Sequence, residues 1–178
     1  MRASVFIATS LDGFIAREDG DIAWLGAEED HGGEDYGYKA FMDSVDVLVM
    51  GRNTYELVAT FGSWPYGSKR VVVLTNRPLE IPAGQAATVG TMAGPVETVV
   101  HRLEEEGARH LYVDGGKTVQ AFLRGGLIDR LILTRLPILL GAGIPLFGSL
   151  PGDIRWRHVR TTAFPKGFVQ SEYERTDC

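Results

Sequence analysis

Leu111-Tyr112-Val113-Asp114-Gly115-Gly116-Lys117-Thr118 runs from an apolar, β-forming triplet straight into a glycine pair, a cation and a hydroxyl. Two other segments follow the same plan. Val47-Leu48-Val49-Met50 ends in Gly51-Arg52-Asn53-Thr54, and Val71-Val72-Val73-Leu74 ends in Thr75-Asn76-Arg77. In an open parallel sheet, ligands bind outside the carboxyl ends of the strands. Glycine there lets backbone approach a phosphate, and a helix N-terminus adds unpaired N–H groups and a positive dipole. Three such turns in one short chain predict a site for a large anionic cofactor. The alternative for each is a tight strand-to-helix turn in which glycine supplies only φ > 0.

Around these turns, strands and helices alternate. Ser4–Thr9 reads as a buried strand, Asp12-Gly13 as a turn, and Phe14–Ala16 as a short extended run. Strands are predicted at 46–50, 70–74, 110–113 and 128–136, with a weak one at 86–89. Helices are predicted at 36–43, 53–59, 95–106 and 117–124. The clearest begins at Pro95, buries Val96, Val99, Val100 and Leu103, and stops at Gly107. Segments 155–163 and 168–174 form a hairpin about Pro165-Lys166-Gly167. The alternation implies a largely parallel sheet with right-handed crossovers and an antiparallel C-terminal edge. The acidic stretch from Glu18 to Gly37, which carries Trp24, reads as a long loop.

With 178 residues, 44% hydrophobic and 23% charged, the chain is long enough for one core and reads as a single domain over 1–178. A net charge of −5 argues against nucleic acid as partner. The one cysteine, Cys178, leaves no disulfide frame. Without a leader-like start or an apolar span, the reading is a soluble, cytoplasmic protein that needs no membrane. His31, His101, His110 and His158 are scattered without metal-ligand spacing, so no metal is expected. Glu28, Glu29, Asp30, Glu34 and Asp35 read as a solvated loop face, and no G-x-S-x-G elbow is present.

Neither G-x-G-x-x-G nor G-x-x-x-x-G-K-[ST] occurs, which disfavours a standard dinucleotide fingerprint or P-loop. Arg52 and Arg77, each just past a strand end, suit the extra 2′-phosphate that distinguishes NADPH from NADH.

Ala8-Thr9-Ser10-Leu11-Asp12-Gly13-Phe14-Ile15-Ala16, Met50 to Glu56 and Val113 to Gly116, in that order, resemble the dihydrofolate reductase superfamily. Gly126-Leu127-Ile128-Asp129, Leu139-Leu140-Gly141 and Pro145-Leu146-Phe147 are similar to the branch containing the reductase domain of the bifunctional riboflavin-biosynthesis deaminase/reductase. The resemblance covers essentially the whole chain. It implies a central sheet of about eight strands with flanking helices, and NADPH lying across the strand ends. By position, Ala8 and Ile15 would flank the nicotinamide, with Trp24 near it. Gly51, Arg52, Asn53 and Thr54 would meet phosphates. Thr75, Asn76 and Arg77 would hold the adenosine end. Gly115, Gly116, Lys117, Thr118 and Val119 would hold the pyrophosphate. Asp114 corresponds to an acid facing substrate, and Asp12 is a second substrate-side candidate that also fits a turn-shaping role. A deaminase half would need H-x-E with a P-C-x-x-C zinc constellation, which a chain whose one cysteine is Cys178 cannot supply.

The implied activity is NADPH-dependent reduction of a small pterin-, pyrimidine- or ribosylaminouracil-like molecule, of the 5-amino-6-(5-phosphoribosylamino)uracil type. Two readings compete with it: a non-catalytic NADP(H)-binding or sensor protein, and a true dihydrofolate reductase. The latter would need a pterin-binding carboxylate within 35–43. The apolar Ile138–Phe147 segment suggests a homodimer surface, or a purely structural role.

Overall fold

Apolar runs stopped by glycine or a polar turn, together with two more polar C-terminal segments, become the strands of one sheet. They are β1 (Arg2–Thr9), β3 (Val47–Gly51), β4 (Arg70–Leu74), β5 (Val89–Met92), β6 (His110–Asp114), β7 (Arg130–Arg135), β9 (Trp156–Ala163) and β10 (Val169–Arg175). A two-stranded ribbon adds β2 (Phe14–Ala16) and β8 (Ile144–Pro145). The structure, a computed structural model, describes residues 1–26 and 33–176. Glu28, Glu29, Asp30, His31 and Cys178 lie outside the described residues.

The eight strands lie in the order β5-β4-β3-β6-β1-β7-β10-β9. All pairs from β5 to β7 are parallel, and β10 is antiparallel to both neighbours. Helices α1 (Tyr38–Ser44), α2 (Arg52–Ala59), α3 (Val96–Glu105) and α4 (Gly116–Arg124) cover the faces. Strand alternation assigns the sides. Val47, Val49, Leu111 and Val113 face α3 and α4, joining Val99, Leu103, Val119 and Phe122. Leu48, Met50 and Tyr112 face α1 and α2, joining Phe41, Tyr55 and Val58. Covered on both sides, β3, β4 and β6 are apolar between their ends, as is usual for parallel strands buried on both faces. Each fully buried Val or Leu contributes about 1.5–3 kcal/mol by leaving water.

One irregularity positions the site. β1 pairs with β6 only from Arg2 to Ser4, opposite His110 to Tyr112, but pairs with β7 as far as Thr9. Past that rung β1 and β6 part, and Tyr112 Oη donates to the Phe6 carbonyl at 2.9 Å across the base of the split.

Most elements fall where the pattern predicts. β5 begins at Val89, not 86, because pairing with Val71–Leu74 of β4 selects the extended residues and overrides a weak local signal. α3 starts after Pro95, which serves as its N-cap residue. β7 is shorter than 128–136 at both ends. The ribbon partner β8 has no sequence signal, since two residues held by β2 show no period. None of the described helices is long and apolar enough to cross a membrane.

Candidate functional site

The three turns meet. β4, β3 and β6 are adjacent and parallel, with Gly51 opposite Leu74 and Met50 opposite Asp114. Their carboxyl ends therefore deliver Thr75, Gly51 and Gly115 to one edge of the sheet. α2 and α4 start there on glycine caps, Gly51 and Gly115, and neither has a side-chain cap. Their helix starts interlock. A Cβ built on Gly51 would stand 3.1 Å from Thr118 Oγ1, and one built on Gly115 would overlap Thr54 Oγ1. Each helix thus lays the hydroxyl of its third residue over the other's cap glycine. Gly115 has φ +88° and needs glycine on both grounds. Gly116 is also confined, though less tightly, 3.0 Å from the Pro145 carbonyl and 3.1 Å from Ile15 Cδ1 as measured from a built Cβ. Two uncapped N-termini converging on one edge leave first-turn N–H groups for an anion. That cradle fits a pyrophosphate.

The cations differ in their freedom. Lys117 and Arg77 are exposed, and among the described residues no side-chain hydrogen bond engages either head group. The Arg77 turn is held locally, its N–H reaching Thr75 Oγ1 at 3.2 Å. Arg52 is engaged: Nε donates to Glu56 Oε1 at 2.6 Å and Nη1 to the Pro78 carbonyl at 2.9 Å. It borders a depression of about 450 Å³ that Tyr55, Glu56, Pro78, Leu79, Glu80 and Pro82 also line. Asn53 and Asn76 are exposed beside these cations.

Asp114 ends β6 beside the split between β1 and β6. Burial pushes its carboxyl up to about 6, opposed by the Gly115 N–H that it accepts at 2.8 Å. Three phenols share its field. Burial first, and the Asp114 charge second, push Tyr38 up to about 12 and raise Tyr66 and Tyr112 as well. Aromatic rings support this wall: Phe6 lies 5.5 Å from Tyr38 and 5.0 Å from Phe41, and Trp64 lies 5.1 Å from Tyr66. Tyr112 is legible from strand alternation with Asp114. Tyr38 and Tyr66 arrive from a helix and a loop remote in sequence, and no local signal marks them.

Other expected residues are placed as follows. Ala8 sits on β1 past the split, opposite Thr134 of β7, and Ile15 packs against the start of α4. Trp24 rides a 3-10 turn at 23–25; its buried Nε1 has no hydrogen-bond partner among the described residues. Asp12 accepts from Ser10 Oγ at 2.5 Å and from the Leu140 and Gly141 amides at 3.2 and 2.8 Å, and the serine bond chiefly holds its carboxyl below the usual range. It ties the β1–β2 turn to the 137–143 loop. Asp35 receives the Gly37 and Lys39 amides at the start of α1, and Asp43 pairs with Lys39.

The larger surface depression, about 660 Å³, lies at the opposite rim among Met1, Arg2, Glu104, Arg109, Asp129, Glu174 and Arg175. Size does not favour it, because its charges are mostly engaged by one another or by backbone groups.

The RibD C-terminal domain family matches residues 4–170. Protein YwjB of Bacillus subtilis, itself uncharacterized, is 36% identical over 173 residues, covering 96% of each chain. The crystal structure of a putative riboflavin biosynthesis protein from Shewanella sp. PV-4 superposes with a TM-score of 0.93 at 41% identity, covering 99% of this chain and 100% of that one. Dihydrofolate reductase from Enterococcus faecalis, solved with NADP(H), superposes at a TM-score of 0.69 and 18% identity over 99% of this chain and 97% of that one, a likeness of fold. The parallel sheet with its antiparallel edge is thus the dihydrofolate-reductase fold, and the chain belongs to the RibD C-terminal domain family.

Proposed function

We propose that this protein is an NADPH-dependent reductase acting on a small pyrimidine-, pterin- or ribosylaminouracil-like substrate. The carrying observation is the interlocked pair of uncapped helix starts, Gly51–Thr54 and Gly115–Val119, at the mouth of the β1/β6 split. Family membership supports the same reading. The first-turn amides of α4 would hold the pyrophosphate, and Thr75–Arg77 the adenosine end. Ala8 and Ile15 would orient the nicotinamide at the split. When bound, NADPH supplies a hydride, the cofactor carrying the chemistry and the protein the orientation.

Asp114, Tyr38 and Tyr66 would bound the substrate side, where aromatic walls exclude water. With its proton held to higher pH than an ordinary carboxyl, Asp114 can keep a proton at Oδ beside the reacting ring. A true dihydrofolate reductase is less well supported. Its carboxylate would come from the α1 region, and both carboxylates there, Asp35 and Asp43, are turned to amides and Lys39. A homodimer belongs to the same reading, resting on the exposed Leu139 and Phe147 of the 138–147 segment.

The test is fluorescence titration with NADPH and NADH, followed by loss of nicotinamide absorbance with dihydrofolate and with the ribosylaminouracil phosphate. Tighter NADPH binding and turnover of the uracil are expected. Absence of binding sinks the reading, and tight binding without turnover favours the non-catalytic alternative.

A further inference from the structure

We propose that Glu56 is a specificity-determining residue that holds Arg52 across the α2 and 78–82 depression and so weakens this protein's preference for a 2′-phosphorylated dinucleotide. The inference rests on the dinucleotide reading above and concerns a residue which that reading does not use. Arg52 is the first residue of α2, where the positive end of the helix dipole disfavours a cation. Its pairing with Glu56 runs in the weaker order, base before acid at i,i+4. Helix stability therefore does not explain a cation at this position.

The guanidinium is nonetheless occupied, forked between Glu56 Oε1 and the Pro78 carbonyl. It is drawn from solvent to 24% exposure, while Glu56 keeps 51%. Glu56 and Glu80 both line the depression, so it presents two carboxylates against one guanidinium. An incoming phosphate must displace Glu56 from Arg52 and stand near its charge. A ribose hydroxyl at the same place meets neither cost. Arg77, on the adjoining turn with a head group that no described residue engages, would carry most of the attraction.

The experiment titrates NADPH and NADH into the wild type, Glu56→Gln, Arg52→Ala and the double variant, with melting curves as a folding control. An exposed pair of this kind is weak, so the gain is modest: Glu56→Gln should tighten NADPH by about 3- to 10-fold. NADH should move less than about 2-fold, since it lacks the added charge. The gain should shrink at high salt and fall when Arg52 is also removed, leaving only the relief of a screened repulsion. An unchanged NADPH to NADH ratio in a folded Glu56→Gln protein that still binds both overturns this proposal and leaves the dinucleotide reading standing. A gain undiminished without Arg52 overturns it as well. A wild type that binds neither nucleotide overturns both.

Discussion

The two rims of the sheet hold similar residues and use them oppositely. At the amino-end rim, polar groups are spent on the fold. The Met1 amine meets Glu104, Arg2 meets Glu174, and Arg70 meets Glu106. Asp129 takes the Ala3 amide at 2.7 Å, and Asp46 takes those of Arg109 and His110 at 2.8 and 2.9 Å. At the carboxyl-end rim, α2 and α4 start without side-chain caps, and the Arg77 and Lys117 heads are uncommitted among the described residues. The larger depression is at the first rim and the unspent donors are at the second. Unsatisfied hydrogen-bonding capacity, more than volume, marks a place built to receive something.

The sharpest way to break this contrast is a matched pair of glycines. Gly115→Ala meets both a φ of +88° and the Thr54 hydroxyl, whereas Gly107 at the opposite rim has φ +93° and nothing within 4 Å of a built Cβ. Thermal melts should show Gly115→Ala losing about 3 kcal/mol or more, with NADPH binding lost, and Gly107→Ala losing about 1 kcal/mol with binding kept. Equal losses would remove the interlock from the account.

A second contrast lies in two carboxylates at opposite ends of the β3/β6 pair. Burial raises Asp114 to about 6, so its folded form favours the proton. Stability is therefore lost as pH rises from the ordinary value of 3.8 through 6, by on the order of 2–3 kcal/mol. Asp114→Asn should recover that loss at pH 7 and leave pH 4 nearly unchanged. Asp46 has the opposite sign. The Arg109 amide chiefly holds its carboxyl low, so its contribution is present at neutral pH and lost on acidification. Asp46→Asn should destabilise at pH 7. Denaturant titrations across pH 4–8 read both, and a matching sign would contradict the contrast.

The smallest effect concerns cations. Arg77→Ala should weaken NADPH by about 5- to 10-fold with little change for NADH, and Arg109→Ala should change neither. An unchanged NADPH to NADH ratio in Arg77→Ala would take Arg77 out of the site.

Much of the carboxyl rim is legible in sequence because each turn joins a strand end to a helix start within a few residues. Gly51 and Gly115 advertise themselves by composition. That they face Thr118 and Thr54 across the sheet is not legible, since it depends on β6 being inserted beside β3 rather than following sequence order. Glu56 lies four residues from Arg52, so their pairing is readable by helical spacing, but the Pro78 carbonyl that completes the fork is not. Tyr38 and Tyr66 reach Asp114 from remote segments for the same reason. Among the strands, β8 and the exact place of β5 depend on their partners, because neither carries enough pattern to choose its own register.

Amide chemical-shift mapping during NADPH titration tests the assignment of rims most directly. Shifts should concentrate at Gly51–Thr54, Thr75–Arg77 and Gly115–Val119, with Gly107–His110 and Met1–Ala3 still. Shifts gathered at the amino-end rim, with the α2 and α4 starts unmoved, would contradict it.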